Sequence, residues 1–162
     1  MMFLSVTKDT KSITYSSLMA KMIHQKHALQ FKCTGCGICC TGDDDHYIAM
    51  SKTEASRIQT HLGITTAWFR RRYVMHLTRD TLTARMRKGR CVFLNKEDKC
   101  SIYHLRPVQC RTYPYWPELL ESKQAWNDEA KHCEGINCGA TVPITEINKK
   151  LALQLKSEQD EL

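Results

Sequence analysis

The chain has 162 residues, 42% of them hydrophobic with only 7 Gly and 4 Pro, a size and composition that bury a core within one domain and exclude a low-complexity or collagen-like polypeptide. No apolar stretch approaches the roughly 20 residues needed to span a bilayer, and Met1-Met2-Phe3-Leu4 followed by Ser5 lacks the apolar segment of a secretory signal, so the expectation is a cytoplasmic protein without membrane contact. The formal net charge of +7, from 24 Lys+Arg against 17 Asp+Glu, invites a nucleic-acid reading that nine cysteines weaken: two four-thiolate zinc sites at roughly −2 each would offset about four of those charges, leaving much of the basic excess as a counterweight to metal centres.

The first segment with helical periodicity covers residues 15–29, where Leu18, Met19, Met22 and Ile23 form an apolar stripe and Lys21, His24, Lys26 and His27 a solvated face. Residues 1–31 are read as an N-terminal helical arm. The run Cys33-Thr34-Gly35-Cys36-Gly37-Ile38-Cys39-Cys40 then places four thiols within eight residues. Thiolate sulfur is a soft ligand that selects zinc, cuprous copper or iron–sulfur clusters, and a C-x2-C step lets one tight turn aim two sulfurs at a common point. Gly35 and Gly37 suit that turn because glycine reaches positive φ without steric cost. A disulfide scaffold fits poorly. Neighbouring Cα atoms such as those of Cys39 and Cys40 lie about 3.8 Å apart where disulfides need roughly 4.4–6.8 Å, and an odd number of thiols in a reducing compartment argues the same way.

Asp43-Asp44-Asp45 reads as a solvated loop, and residues 47–50 as a short strand. Ser51 with Glu54 makes a capping box that starts a helix over 52–61, closed at Leu62-Gly63. Thr65 or Thr66 caps a second helix whose buried face carries Trp68, Phe69, Tyr73 and Leu77. Residues 82–86 and 91–94 read as a hairpin around the basic turn Arg87-Lys88-Gly89-Arg90, and 96–99 as the next turn. Tyr113-Pro114-Tyr115-Trp116-Pro117 is too proline-dense for regular structure. A helix over 118–131 leads to Cys133, and Pro143 precedes a last helix with Ile147, Leu151 and Leu155 on one face. The expected architecture is α+β, a small single domain, mainly helical with short strands, organised around a cysteine-ligated metal centre. Residues 32–140 form its cysteine-cluster domain and 141–162 its C-terminal helix.

The step C-x2-C-x2-C at Cys33, Cys36 and Cys39 matches the opening of a bacterial ferredoxin motif, yet the fourth cysteine's position is held by Asp43. The C-x3-C-x2-C step of radical enzymes that bind S-adenosylmethionine, read from Cys36 and Cys40, fails at the same residue. The remaining ligands therefore come from Cys91, Cys100, Cys110 and Cys133.

Cys91-Val92-Phe93-Leu94, Cys100-Ser101-Ile102-Tyr103, Arg106-Pro107 and Cys110-Arg111-Thr112-Tyr113-Pro114, together with the upstream C-x2-C-x2-C-C, resemble the YkgJ-type cysteine-cluster family, whose domain is described as zinc- or iron-chelating. The resemblance covers roughly residues 32–135. Its late Cys-Pro-Gly element is matched by Cys133-Glu134-Gly135, with Glu134 in place of proline, and Cys138 has no counterpart, which leaves it a free thiol.

The resemblance implies a metal ligand set of Cys33, Cys36, Cys39, Cys40, Cys91, Cys100, Cys110 and Cys133, able to furnish two four-sulfur zinc sites or one iron–sulfur cluster with spare ligands. Because consecutive side chains of an extended segment face opposite ways, Cys33, Cys36 and Cys39 are assigned to one centre and Cys40, with part of the distant set, to another. His46, His104 and His132 lie near ligand positions, His104 at C-x3-H from Cys100, but are read as surface imidazoles. Arg106 and Arg111 flank the Cys110 ligand and are expected to donate charge-assisted hydrogen bonds to sulfur or to backbone carbonyls around it.

The leading functional expectation is a metal-binding protein that chelates zinc or iron and that can also present a surface to a protein partner. The alternative is an iron–sulfur oxidoreductase or an accessory protein of a modification enzyme, since a similar cysteine-rich region occurs in flagellin lysine methylases. The chain shows no glycine-rich dinucleotide loop and no nucleophile elbow to support other catalysis. A nucleic-acid-binding module is the third and weakest reading, resting on Arg70-Arg71-Arg72 and the turn from Arg85 to Arg90. It is weakened because Trp68 and Tyr73 are assigned to the core.

Overall fold

The structure is a computed structural model that describes residues 19–43 and 46–160. Residues 15–18 of the first expected helix lie outside it. The described part of that helix is short: residues 19–21 are helical and Ile23–Gln25 is a 3-10 turn. His24 is buried there and bonds Asn148 Oδ1 at 2.7 Å, so it does not belong to a solvated face.

Strand β1 (Gln30–Phe31) pairs antiparallel with β7 (Ile136–Thr141), which brings the start of the cysteine run beside Cys133. Strand β2 (Ala49–Ser51) leads into helix α1 (Lys52–Leu62) through the expected capping box, with both reciprocal bonds of Ser51 and Glu54 in place. Gly63 ends α1 in the left-handed conformation at φ 63°.

Helix α2 (Thr66–Arg72), capped by Thr65, stops short of the expected Leu77. The chain turns at Tyr73 into β3 (Val74–His76), whose pairing with β4 (Thr81–Ala84) gives its backbone a ladder that a longer helix would forgo. Phe69 is buried and stacks on Tyr73, which stacks in turn on Phe93, whereas Trp68 is 47% exposed and not a core residue. β4 is the centre of an antiparallel sheet ordered β2-β4-β3. The expected hairpin is correspondingly smaller, joining β5 (Met86–Arg87) to β6 (Arg90–Cys91) through Lys88 and Gly89, both at positive φ as a tight two-residue turn requires.

Helix α3 (Val108–Thr112) carries Cys110. The helix expected over 118–131 is two helices, α4 (Pro117–Leu120) and α5 (Lys123–Glu129), because the Ser122 side chain accepts from Ala125 N and so begins a new helix. Helix α6 (Ile144–Asp160) buries Ile147 and Leu151 as expected, each worth about 1.5–3 kcal/mol. Gln154 on α6 accepts from Thr112 Oγ1 at 2.6 Å and so ties this helix to α3.

The architecture is mixed α+β with two apolar clusters. One gathers α1, α2 and the β2-β4-β3 sheet around Met50, Ile58 and Phe69, and the other gathers Tyr115, Leu120, Trp126, Ile147 and Leu151. None of the described helices is long and apolar enough to cross a membrane.

Candidate metal centre

Backbone contacts hold the cysteine run at three points. At its start Lys32 N donates to the Gly135 carbonyl at 3.0 Å; at its end Gly42 N donates to the Gly89 carbonyl at 2.9 Å. In the middle Lys99 Nζ donates to the Gly35 carbonyl at 2.8 Å. Gly37, at φ 79°, lies so close to the 95–99 turn that a Cβ there would overlap the Asp98 carbonyl oxygen.

The ligand candidates after residue 90 are placed with similar economy. Cys91 ends β6 and is buried, and Cys100 bridges back to Leu94 across a turn in which Asn95 Oδ1 accepts from Glu97 N and Lys99 N. Cys110 is set by its neighbour Gln109, whose amide bonds Ala49 N at 2.5 Å and Tyr47 O at 3.3 Å, clamping α3 to the strand. Cys133 follows α5 and donates its backbone N–H to the Glu129 carbonyl at 2.9 Å.

Seven of the eight sequence candidates, Cys33, Cys36, Cys39, Cys40, Cys100, Cys110 and Cys133, line one cavity of about 470 Å³. The eighth, Cys91, is buried at the end of β6 and acts to raise the Cys40 thiol without itself lining the cavity. Residues 38–40 form a 3-10 turn, so Cys39 and Cys40 do not alternate across an extended strand, the premise on which they were assigned to separate centres. Cys138 lies exposed on β7, outside the cavity.

Five of the thiols, Cys39, Cys40, Cys100, Cys110 and Cys133, are held towards their neutral form. The bond from Cys40 raises the Cys39 thiol, with burial adding to it. For Cys40 the bond with Cys39 acts downward, but the bond with Cys91, burial and the neighbouring thiols outweigh it and push the group up to about 12. Burial is the main cause of the rise at Cys100, at Cys133 and, most strongly, at Cys110. Arg106 opposes it: its charge lowers Cys39, Cys100 and Cys110, while its Nε donates to the Tyr103 carbonyl at 3.0 Å and its guanidinium lies 3.7 Å over the Tyr103 ring. Arg111 lines the same cavity but pairs with Glu54 at 3.5 Å.

His132 lines the cavity, whereas His104 is exposed beside Tyr103. His46 is lowered chiefly by burial, and its Nε2 is buried and unpartnered. Tyr113, to which sequence reasoning gave no role, donates to Glu129 Oε1 at 2.5 Å and lies within hydrogen-bonding reach of the Cys133 thiol. Its signal was its place three residues after Cys110.

The donor set fits a soft metal: clustered sulfur, a flanking cation and hydrogen-bond donors to sulfur. Among the described residues no three Cys, His, Asp or Glu side chains are drawn together tightly enough to grip an ion as they stand.

The family model CxxCxxCC, described as a "Putative zinc- or iron-chelating domain", matches residues 32–134. The uncharacterized protein MJ0661 of Methanocaldococcus jannaschii is 27% identical over 134 residues, 80% of this chain and 71% of the relative. No solved structure matches the chain. The matched segment is well over half of the sequence and contains the seven cysteines that line the cavity together with Cys91, so the chain belongs to the CxxCxxCC family, whose description supports metal binding.

Proposed function

We propose that the protein holds zinc or iron at the cysteine cavity, with Cys39, Cys40, Cys91, Cys100 and Cys110 as the inner donors and Cys33, Cys36 and Cys133 closing over the ion from the cavity wall. The observation that carries this reading is that seven of the eight candidate thiols line one cavity. Binding draws the thiols inward and releases their protons.

The sharing of one cavity by seven of the candidate thiols supports a single compound centre over two isolated four-sulfur sites. An iron–sulfur cluster is the second reading, favoured by the Arg106 charge that lowers Cys39, Cys100 and Cys110, an influence of the kind that tunes such centres. Zinc would supply a fixed cross-link, and a cluster would add one-electron chemistry. Free thiols throughout the chain suit a reducing compartment, and we assign the protein to the cytoplasm on that ground.

Anaerobic purification with elemental analysis and visible spectroscopy tests the proposal. A brown protein that bleaches on reduction carries a cluster; a colourless protein with bound zinc carries the chelating site. Folded protein that takes up neither metal, with all nine thiols freely titratable, would overturn both readings.

A further inference from the structure

The net positive charge of this chain is concentrated in one segment of its sequence. Residues 70–90 contain eight of the 24 Lys+Arg and one of the 17 Asp+Glu, so the remainder of the chain carries 16 of each and is balanced. None of those 21 residues lines the cysteine cavity. This segment's excess therefore lies away from the cavity, whose own lining cations are Lys99, Arg106, Arg111 and Lys150.

The fold gathers much of that charge onto one surface. Arg85 Nη2 donates to the Arg70 carbonyl at 3.4 Å and Arg87 Nη2 to the Arg72 carbonyl at 3.3 Å, which pins the β5–β6 hairpin to the last turn of α2. Arg70, Arg71, Arg72, Arg87 and Lys88 are exposed around that junction. Among the described residues none of them pairs with a carboxylate; the segment's one acid, Asp80, is taken by Lys52, and Arg90 by Asp98. Beside them Trp68 is 47% exposed, with the Arg72 guanidinium 5.5 Å from its ring centre.

We infer that this face of α2 and the hairpin binds single-stranded nucleic acid, the arginines taking the phosphates and Trp68 stacking on a base. Arginine's planar fork matches phosphate oxygens, and seven of the segment's eight cations are arginine. An exposed indole beside a cationic track is the pairing that single strands recognise, because every base offers a π-face.

The test uses the full chain, loaded with metal, and fluorescein-labelled 12-nucleotide RNA and DNA of mixed sequence. Anisotropy should show binding at low salt, with log K falling against log[salt] at a slope of about −3 for four or five phosphates. Tryptophan emission should be quenched on binding. Arg71→Gln with Lys88→Gln should weaken binding roughly tenfold and flatten the slope by about one unit. Trp68→Leu should abolish most of the quenching and cost roughly tenfold or more. Circular dichroism and metal content matching the parent protein show that the variants are folded. Absence of binding at 50 mM salt, affinity unchanged in folded variants, or competition by polyglutamate as effective as by RNA without quenching would each overturn the inference, the last in favour of an acidic protein partner.

Discussion

A thiol buried among other thiols keeps its proton, and at this site that sets how metal and acid compete. Cys39, Cys40, Cys100, Cys110 and Cys133 all hold their protons to higher pH than ordinary thiols, so a metal ion must displace protons to bind and its affinity should rise with pH. Calorimetric titrations in buffers of different ionisation enthalpy should register several protons released per chain. The metal-free protein should show the opposite trend. Thiols of the unfolded chain ionise near about 8.5, and the native state binds more protons above that pH. Its stability is therefore fully present below about pH 8.5 and declines as the pH rises through about 12, the value to which Cys40 is pushed. Melting temperatures between pH 7 and 11, with and without metal, separate the two effects. Substitutions should sort by place: Cys40→Ser, buried in the cavity wall, should abolish stoichiometric metal, whereas Cys138→Ser, exposed on β7, should leave metal content and melting temperature unchanged.

Glu54 shows how much a single helix terminus can be asked to organise. Its Oε2 accepts from Ser51 N and Oγ at the start of α1, while its Oε1 accepts from Val108 N at 2.8 Å at the start of α3 and pairs with Arg111 at 3.5 Å. Glu54→Ala should cost about 2–4 kcal/mol, because loss of a cap, about 1 kcal/mol, is joined by a partly buried Val108 N–H left unpaired, about 1–3 kcal/mol. Urea denaturation checks this, and a cost under 1 kcal/mol would mean that α3 does not depend on Glu54. The capping box itself was legible in the sequence, as were the left-handed Gly63 and the apolar face of α6. What escaped were β1, β3 and β7. Runs of two or three residues give alternation too little length to show, and β1 and β7 exist through pairing across more than a hundred residues. Trp68 was misplaced because helical spacing tells which residues share a face but not where the helix stops, and α2 ends before its stripe is complete. For the candidate site, cysteine identity and spacing were readable, but the 3-10 turn at 38–40 was not. That turn, set by Gly37 against the Asp98 carbonyl, is what joins Cys39 to Cys40.

At the scale of the whole molecule, the cysteine cavity lies between two cores. Cys40, Cys91, Cys100 and Cys110 belong to or pack against the cluster around Met50, Ile58 and Phe69, whereas Cys133 packs with Phe31 against the cluster around Trp126 and Leu151. A metal ligated from both sides would therefore couple two bodies of apolar packing, which α3 also links by its bonds to the C-terminal helix, Thr112 to Gln154 and Lys150 to the Arg111 carbonyl. At a hundredfold excess over its dissociation constant, a bound ion stabilises the native state by about 2.7 kcal/mol, which for a chain of this length is a rise of about 5–10 °C in melting temperature. Native-state hydrogen exchange should show where that stabilisation is felt. On metal loading, amides of α1 and β4 in the first cluster and of α5 and β7 in the second should slow together. In Cys133→Ser the first cluster should retain its gain while α5 and β7 exchange as they do without metal. If both clusters still slow in that variant, Cys133 is not a ligand and the link between the cores runs through the cysteine run itself, held at Gly135 by Lys32.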